Sequence, residues 1–159
     1  MANNFDRMIK LVTEFFNTRN DPGQISVSEE ERERLSKIHP ATMSEFANED
    51  GPVVWILMIP TIEAIMHRFL QGTISEKQLL EETQPGDTYN AIYLCSAYTL
   101  PEFRRKGLAK KVAFEAFNSI CKDHPIKALF YWPFSEDGKV AAQAAAKEAG
   151  LPLYEKKIS

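Results

Sequence analysis

The sequence predicts a single α/β domain, a mixed central sheet flanked by helices, with a helical N-terminal part over about 1–50 and a helical insertion at about 61–83. Three observations predict it. The run VVWILMI after Gly51-Pro52 is β-branched and apolar on both faces, as an interior strand covered on both sides is. The second half alternates strand-like and helix-like segments, which implies a mixed sheet with right-handed crossovers. The 159 residues hold no internal repeat or linker-like stretch, and they suffice for one core hiding roughly two-thirds of the unfolded surface.

Taken in order, Phe5, Met8, Ile9, Val12, Phe15 and Phe16 recur at the spacing of a one-sided helical stripe from about Asn4 to Thr18. The turn residues Asn20 to Gly23 end that helix. Ser28 and Glu31 form a capping box for a second helix with a thin face of Leu35 and Ile38, and its EEERER segment reads as solvated surface. His39-Pro40 stops it, because the residue before proline disfavours the helical region. The front of the chain otherwise shows few strands, so the early sheet is expected to be reduced. After VVWILMI, Pro60 and Thr61 turn the chain into a helix with a stripe of Ile62, Ile65, Met66, Phe69 and Leu70, stopped by Gly72. Ser75 and Gln78 then make a capping box, Ile74 can staple to Leu79, and Gln84 to Asp87 form a turn. Tyr89 to Thr99 reads as a long buried strand, Arg105 to Lys122 as an amphipathic helix, and Ile126 to Trp132 as a strand. An alanine-rich helix from Glu136 to Ala149, capped by Gly150, leads to a short strand from Leu151 to Tyr154.

A hydrophobic content of 44% and a charged content of 26% exclude a disordered chain. The N-terminal residues lack a signal-peptide pattern, and the longest apolar run is too short for a bilayer, which together point to a cytoplasmic protein with no membrane partner. Cys95 and Cys121 lie in apolar segments without metal-ligand spacing, so reduced thiols and no metal are expected. The net charge of −3 disfavours nucleic acid. Its distribution says more, since Arg104, Arg105, Lys106, Lys110 and Lys111 fall within eight residues free of acid. A concentrated basic spot on an acidic body suits a small polyanion better than a long phosphate backbone.

That spot belongs to LPEFRRKGLAKKV, residues 100–112, between an expected strand and an expected helix. Helix N-termini present unpartnered N–H groups and favour anions, and Gly107 allows close approach to the backbone. Basic residues placed there oppose the helix dipole unless an anion is bound.

Arg104-Arg105-Lys106-Gly107-Leu108-Ala109, led by Pro101-Glu102-Phe103, resembles the pyrophosphate motif Q/R-x-x-G-x-G/A of the GNAT superfamily of N-acetyltransferases. The resemblance covers roughly Tyr89 to Tyr154 and implies a GNAT-like acyl-CoA-binding core there, within one domain. It implies acetyl-CoA as cosubstrate, with the backbone from Arg105 through Ala109, Leu108 included, cradling the pyrophosphate and Arg104, Arg105 and Lys106 beside it. Tyr98, Thr99 and Leu100 would bond the pantetheine arm through their main chain, in a slot opened where that strand splays from the later one. Ser135 would either contact the same arm or cap the next helix.

The resemblance is incomplete. Four residues before Gly150 stands Ala146, where such enzymes commonly place a tyrosine that protonates the leaving thiolate. Tyr131 and Tyr154 are the nearest substitutes, each also readable as a core or surface aromatic. Glu63 and His67, at helical i, i+4 spacing, could face an acceptor pocket as base and partner or form a solvated pair. The expected activity is transfer of an acetyl group to a primary amine, on a small molecule or peptide, by a monomer or homodimer. The alternatives are a GNAT-fold module that binds coenzyme A without efficient chemistry, and a partner-binding protein whose basic turn recognises another phosphorylated group.

Overall fold

The computed structural model describes residues 3–19, 29–132 and 136–156. Its centre is a five-stranded sheet in the order β1-β2-β3-β4-β5. The strands are β1 (Met43–Asn48), β2 (Gly51–Thr61), β3 (Ala91–Thr99), β4 (Ala128–Tyr131) and β5 (Leu153–Glu155). β2 runs antiparallel to both of its neighbours, β1 and β3, whereas β3, β4 and β5 are parallel. Around them lie α1 (Asn4–Arg19), α2 (Glu29–Ile38), α3 (Glu63–Leu70), α4 (Glu76–Glu82), α5 (Leu108–Asp123) and α6 (Glu136–Ala149). The mixed α/β architecture and the two helices inserted between β2 and β3 agree with the sequence. The capping turn at Asn20 to Gly23, Ser28 and Ser135 lie outside the described residues.

β1 departs from expectation. MSEFAN is mostly exposed and carries little alternation, yet it pairs with β2 through Met43↔Leu57 and Glu45↔Trp55. An edge strand is held by its backbone ladder, which composition does not reveal. Pro60 lies inside β2 rather than in a turn. The β1 ladder stops at Met43↔Leu57, so the edge of β2 beyond it requires no N–H from proline.

Two cores flank the sheet. On one face, α2, α3 and α4 bury Leu35, Met66, Phe69 and Leu79 against Tyr93 and Phe130. On the other, α5 and α6 bury Val112, Ala116, Ile120 and Ala146 against Ile56, Met58, Ile92 and Leu129. The capping box at Ser75 and Gln78 is formed, and Ile74 and Leu79 share one core as a staple would require. Arg34, within the EEERER segment, does more than solvate a surface. Its guanidinium donates to the carbonyls of Leu80, Glu81 and Thr83, which satisfies the C-terminus of α4.

Asn90 joins the elements at the start of β3. Its Oδ1 accepts from the Glu63 N–H at 2.8 Å, its N–H donates to Thr61 and its carbonyl accepts from Lys127. Beside this junction the His39 ring, 4% exposed, sets Nε2 2.8 Å from Asp123 and accepts from the Ala41 N–H through Nδ1. His124 accepts from the Tyr89 N–H at 3.2 Å and lies edge-on to His39 at 5.9 Å.

Two outcomes follow from this packing. Phe69 is fully buried, with its ring 4.9 Å from Tyr93 and 5.8 Å from Phe130. Phe69→Ala should cost about 3–5 kcal/mol in urea unfolding, with an unchanged m-value. Burial, and then the neighbouring His39, hold the His124 imidazole below its ordinary value, against the opposing pull of Asp123. The folded state then binds fewer protons than the unfolded chain, so this contribution is present above the unfolded pKa of about 6.5 and lost as pH falls below it. The melting temperature should drop between pH 7 and 5, and His124→Asn should flatten part of that drop.

Candidate functional site: the parting of β3 and β4

β3 pairs with β2 from Ala91 to Thr99, but with β4 only through Ala91↔Ala128, Ile92↔Leu129 and Tyr93↔Phe130. Beyond Tyr93 its β4-facing edge has no strand partner among the described residues. The β2 register also shifts there, since Leu57 opposes Ser96 and Met58 opposes Leu94, leaving Cys95 as the bulged residue. A bulge re-aims the side chains that follow it. β3 and β4 therefore part where β3 also kinks.

The chain leaves β3 through Leu100 into a 3₁₀ turn at Pro101–Phe103, and α5 begins at Leu108. This corrects the expected helix start at Arg105. Arg105 has φ 63° and Gly107 φ 75°, both left-handed, and neither conformation continues a right-handed helix. Arg104, Arg105 and Lys106 therefore precede the helix, and only Lys110 and Lys111 lie in its first turn. Among the described residues, no backbone carbonyl takes the N–H groups of 107–110.

The turn is anchored on both sides. Arg7 of α1 grips Glu102 with two contacts of 2.6 and 2.7 Å, and its guanidinium holds the Glu102 carboxyl below the ordinary carboxylate range. Arg104 folds back so that Nε donates to the Thr99 carbonyl at 3.1 Å. Leu100 is committed to the fold, because its N–H donates to Val53 and its carbonyl accepts from Phe103. Of the three residues expected to offer main chain to a ligand, only Thr99 turns its main chain to the unpaired edge, and Arg104 takes its carbonyl; Leu100 bonds Val53, and the antiparallel alternation turns Tyr98 to β2 as well.

Tyr131 ends β4 and is buried at the parting. Glu63 and His67 lie on α3, whose first residue bonds Asn90 at the paired end of β3. Glu63 is half-buried and His67 exposed. Sequence reasoning missed Glu76. It is 1% exposed, the one buried carboxylate among the described residues, and sits in the first turn of α4. Its Oε2 accepts from the Tyr93 hydroxyl at 2.5 Å and lies 3.6 Å from Cys95 Sγ, beside the bulge. The sequence did hold a signal. Glu76 stands three and four residues before Leu79 and Leu80, on the buried face of its helix.

Comparison with protein-family models, with curated proteins and with solved structures finds no match to this chain. The site's chemistry must therefore be argued from its own geometry. Burial pushes the Cys121 thiol up, which disfavours the thiolate a nucleophile requires. No cluster of His, Cys, Asp and Glu among the described residues could hold a metal ion. No described helix is long and apolar enough to cross a membrane. What the arrangement offers is a basic turn and a helix N-terminus beside a parted strand edge.

The left-handed arginine has a measurable cost. A non-glycine residue with φ 63° is disfavoured by about 1 kcal/mol, and a β-branched one by more. Arg105→Gly should raise thermal stability, and Arg105→Val should lower it.

Proposed function

We propose that this chain binds acetyl-CoA and transfers its acetyl group to a primary amine. One observation carries the reading: β3 parts from β4 after three paired residues, directly before a turn left-handed at Arg105 and Gly107. That arrangement is what the resemblance of Arg104 to Ala109 to the GNAT pyrophosphate motif implies. The fit is chemical as well as positional. The start of α5 offers the N–H groups of 107–110 and the turn three exposed cationic side chains to a pyrophosphate, and Thr99 offers its N–H at the open edge of β3 to an amide-bearing arm.

Bound acetyl-CoA would supply an activated acyl carbon. The amine nitrogen bonds to that carbon as the carbon–sulfur bond breaks, and the amine loses one proton while the thiolate gains one. In this reading Glu76 is the buried carboxylate at the parting available to accept a proton, in preference to Glu63 and His67 at the paired end. Tyr131 is the hydroxyl at the end of β4 available to return one. A second reading, binding of coenzyme A without efficient transfer, is favoured by Ala146. It is packed into the α6 core with no group to donate where related motifs carry a tyrosine.

Isothermal titration separates these readings from a fold with no use for the nucleotide. Acetyl-CoA should bind, and Arg104→Ala should weaken binding about tenfold. Gly107→Glu should abolish it, while Gly107→Asn, which tolerates left-handed φ and adds no charge, should lose less. A Cβ at Gly107 meets no atom within 4 Å, so the glutamate effect would not report a clash. No binding by the unaltered protein would end both readings. Release of free thiol with a panel of amines would then distinguish transfer from binding alone.

A further inference from the structure

We propose that Arg7 is a positioning residue for the anion received by the basic turn, holding the Glu102 carboxylate toward α1 and so keeping its charge out of that site. The inference rests on the anion site of the reading above. Glu102 is the one acid between Thr99 and Phe114, and the next charged residues after it are Arg104, Arg105 and Lys106. Its carboxylate is therefore the group in the turn that opposes a bound pyrophosphate. Lys106 lies four residues on and bears on that carboxylate through its charge. Without Arg7, the Glu102 charge would either repel the incoming anion or pair with a cation that the anion needs. Both outcomes lower the positive charge that the turn presents.

Arg7 removes both outcomes by geometry. Its Nη1 lies 2.6 Å from Oε1 and its Nη2 donates to Oε2 at 2.7 Å, so one planar fork takes both carboxylate oxygens. A lysine's point charge would not fix the carboxylate in one orientation. The fork comes from an anchored part of α1. Asn4 donates to the Asp50 carbonyl and to Asn48 Oδ1, and Met8, next to Arg7, is fully buried. The Arg7 bond, with a smaller pull from Lys106, holds the Glu102 carboxyl below the ordinary carboxylate range, so its charge is present at neutral pH. Lys106 keeps its ammonium over the Phe103 ring, 5.6 Å from the centroid.

The turn has other supports. Arg104 bonds the Thr99 carbonyl, Leu100 bonds Val53, and Phe103 packs into the α5 core. Loss of the Arg7–Glu102 pair leaves these in place. What it changes is where the Glu102 charge points, and removing that charge should remove the need for Arg7. A purely mechanical clamp behaves differently, since either partner's loss would break it.

Isothermal titration at low ionic strength tests this with acetyl-CoA and, separately, with inorganic pyrophosphate. Arg7→Met should weaken each about fivefold, and Arg7→Lys, which keeps the charge without the fork, about twofold. Glu102→Gln should bind at least as tightly as the unaltered protein. The double variant Arg7→Met/Glu102→Gln should recover to within about twofold. Because it also lacks Arg7, its recovery excludes misfolding as the cause of the single loss. In about 0.5 M salt, where exposed charges are screened, the Arg7→Met loss should shrink below about twofold. A Glu102→Gln loss matching that of Arg7→Met, no recovery in the double variant, or an Arg7→Met protein that binds like the unaltered one overturns the proposal. Acetyl-CoA binding indifferent to Arg7 ends this inference alone. Pyrophosphate binding in the expected order without acetyl-CoA binding ends the function reading alone, and binding of neither ends both.

Discussion

β3 has a full-length partner on one edge and a three-residue partner on the other, and most of what distinguishes this molecule depends on that imbalance. A strand paired along both edges would have its main chain consumed by ladders. Here β2 holds β3 in place through Thr99, so the opposite edge stays open without leaving the strand loose. The bulge at Cys95 lies just past the last β3–β4 pair. It changes which residues of β3 face α2 and α4, bringing Ser96 and Tyr98 to a cavity beside Leu57 and Trp55. The buried Glu76 reaches the same point from α4, held by Tyr93, itself the last paired residue.

Rigidity around the turn comes from a different source. α1 is bound at its start to the β1–β2 turn, where Asn4 donates to the Asp50 carbonyl and to Asn48 Oδ1, and near its first turn to Glu102 through Arg7. Just beyond Arg7, Met8 and Val12 pack with Leu100. The exit of β3 is thereby clamped from one side, and Phe103 packs into the core on the other. Loops that present backbone N–H groups need such external support, since they satisfy few of their own bonds. The Arg7–Glu102 pair lies at the surface and adds little stability in itself. Its consequence is positional, because it fixes the residue that begins the turn.

The sheet's interior strands and the helices that pack on them were legible because their apolar spacing is set by burial. VVWILMI, the α3 stripe and the α5 face all appear where periodicity places them. β1 was not legible, because an exposed edge strand is specified by hydrogen bonds to its neighbour. The position of Gly107 and the charge beside it marked the turn, but the helix start was misplaced by three residues. Arg104 to Lys106 have ordinary helix propensity, and the extended Arg104 with left-handed Arg105 and Gly107 excludes them. Glu76 was hidden by its own context. A carboxylate in the first turn of a capped helix reads as a favourable dipole contact, and its burial follows from tertiary packing of Leu79 and Leu80.

The two halves of the site differ in how strongly the fold constrains them. The proposed anion site rests on backbone shape, with two left-handed residues and a helix start. Proton transfer instead needs a particular group at a particular place. In the transfer proposed above, with Ala146 where the resembled motif has its acid, Glu76 and Tyr131 are the groups assigned to proton transfer, and Tyr93 holds Glu76. These residues come from α4, β3 and β4. The inserted helices α3 and α4 are therefore more than a lid on the sheet. They bring a carboxylate to a strand, Ala91–Thr99, that has none of its own.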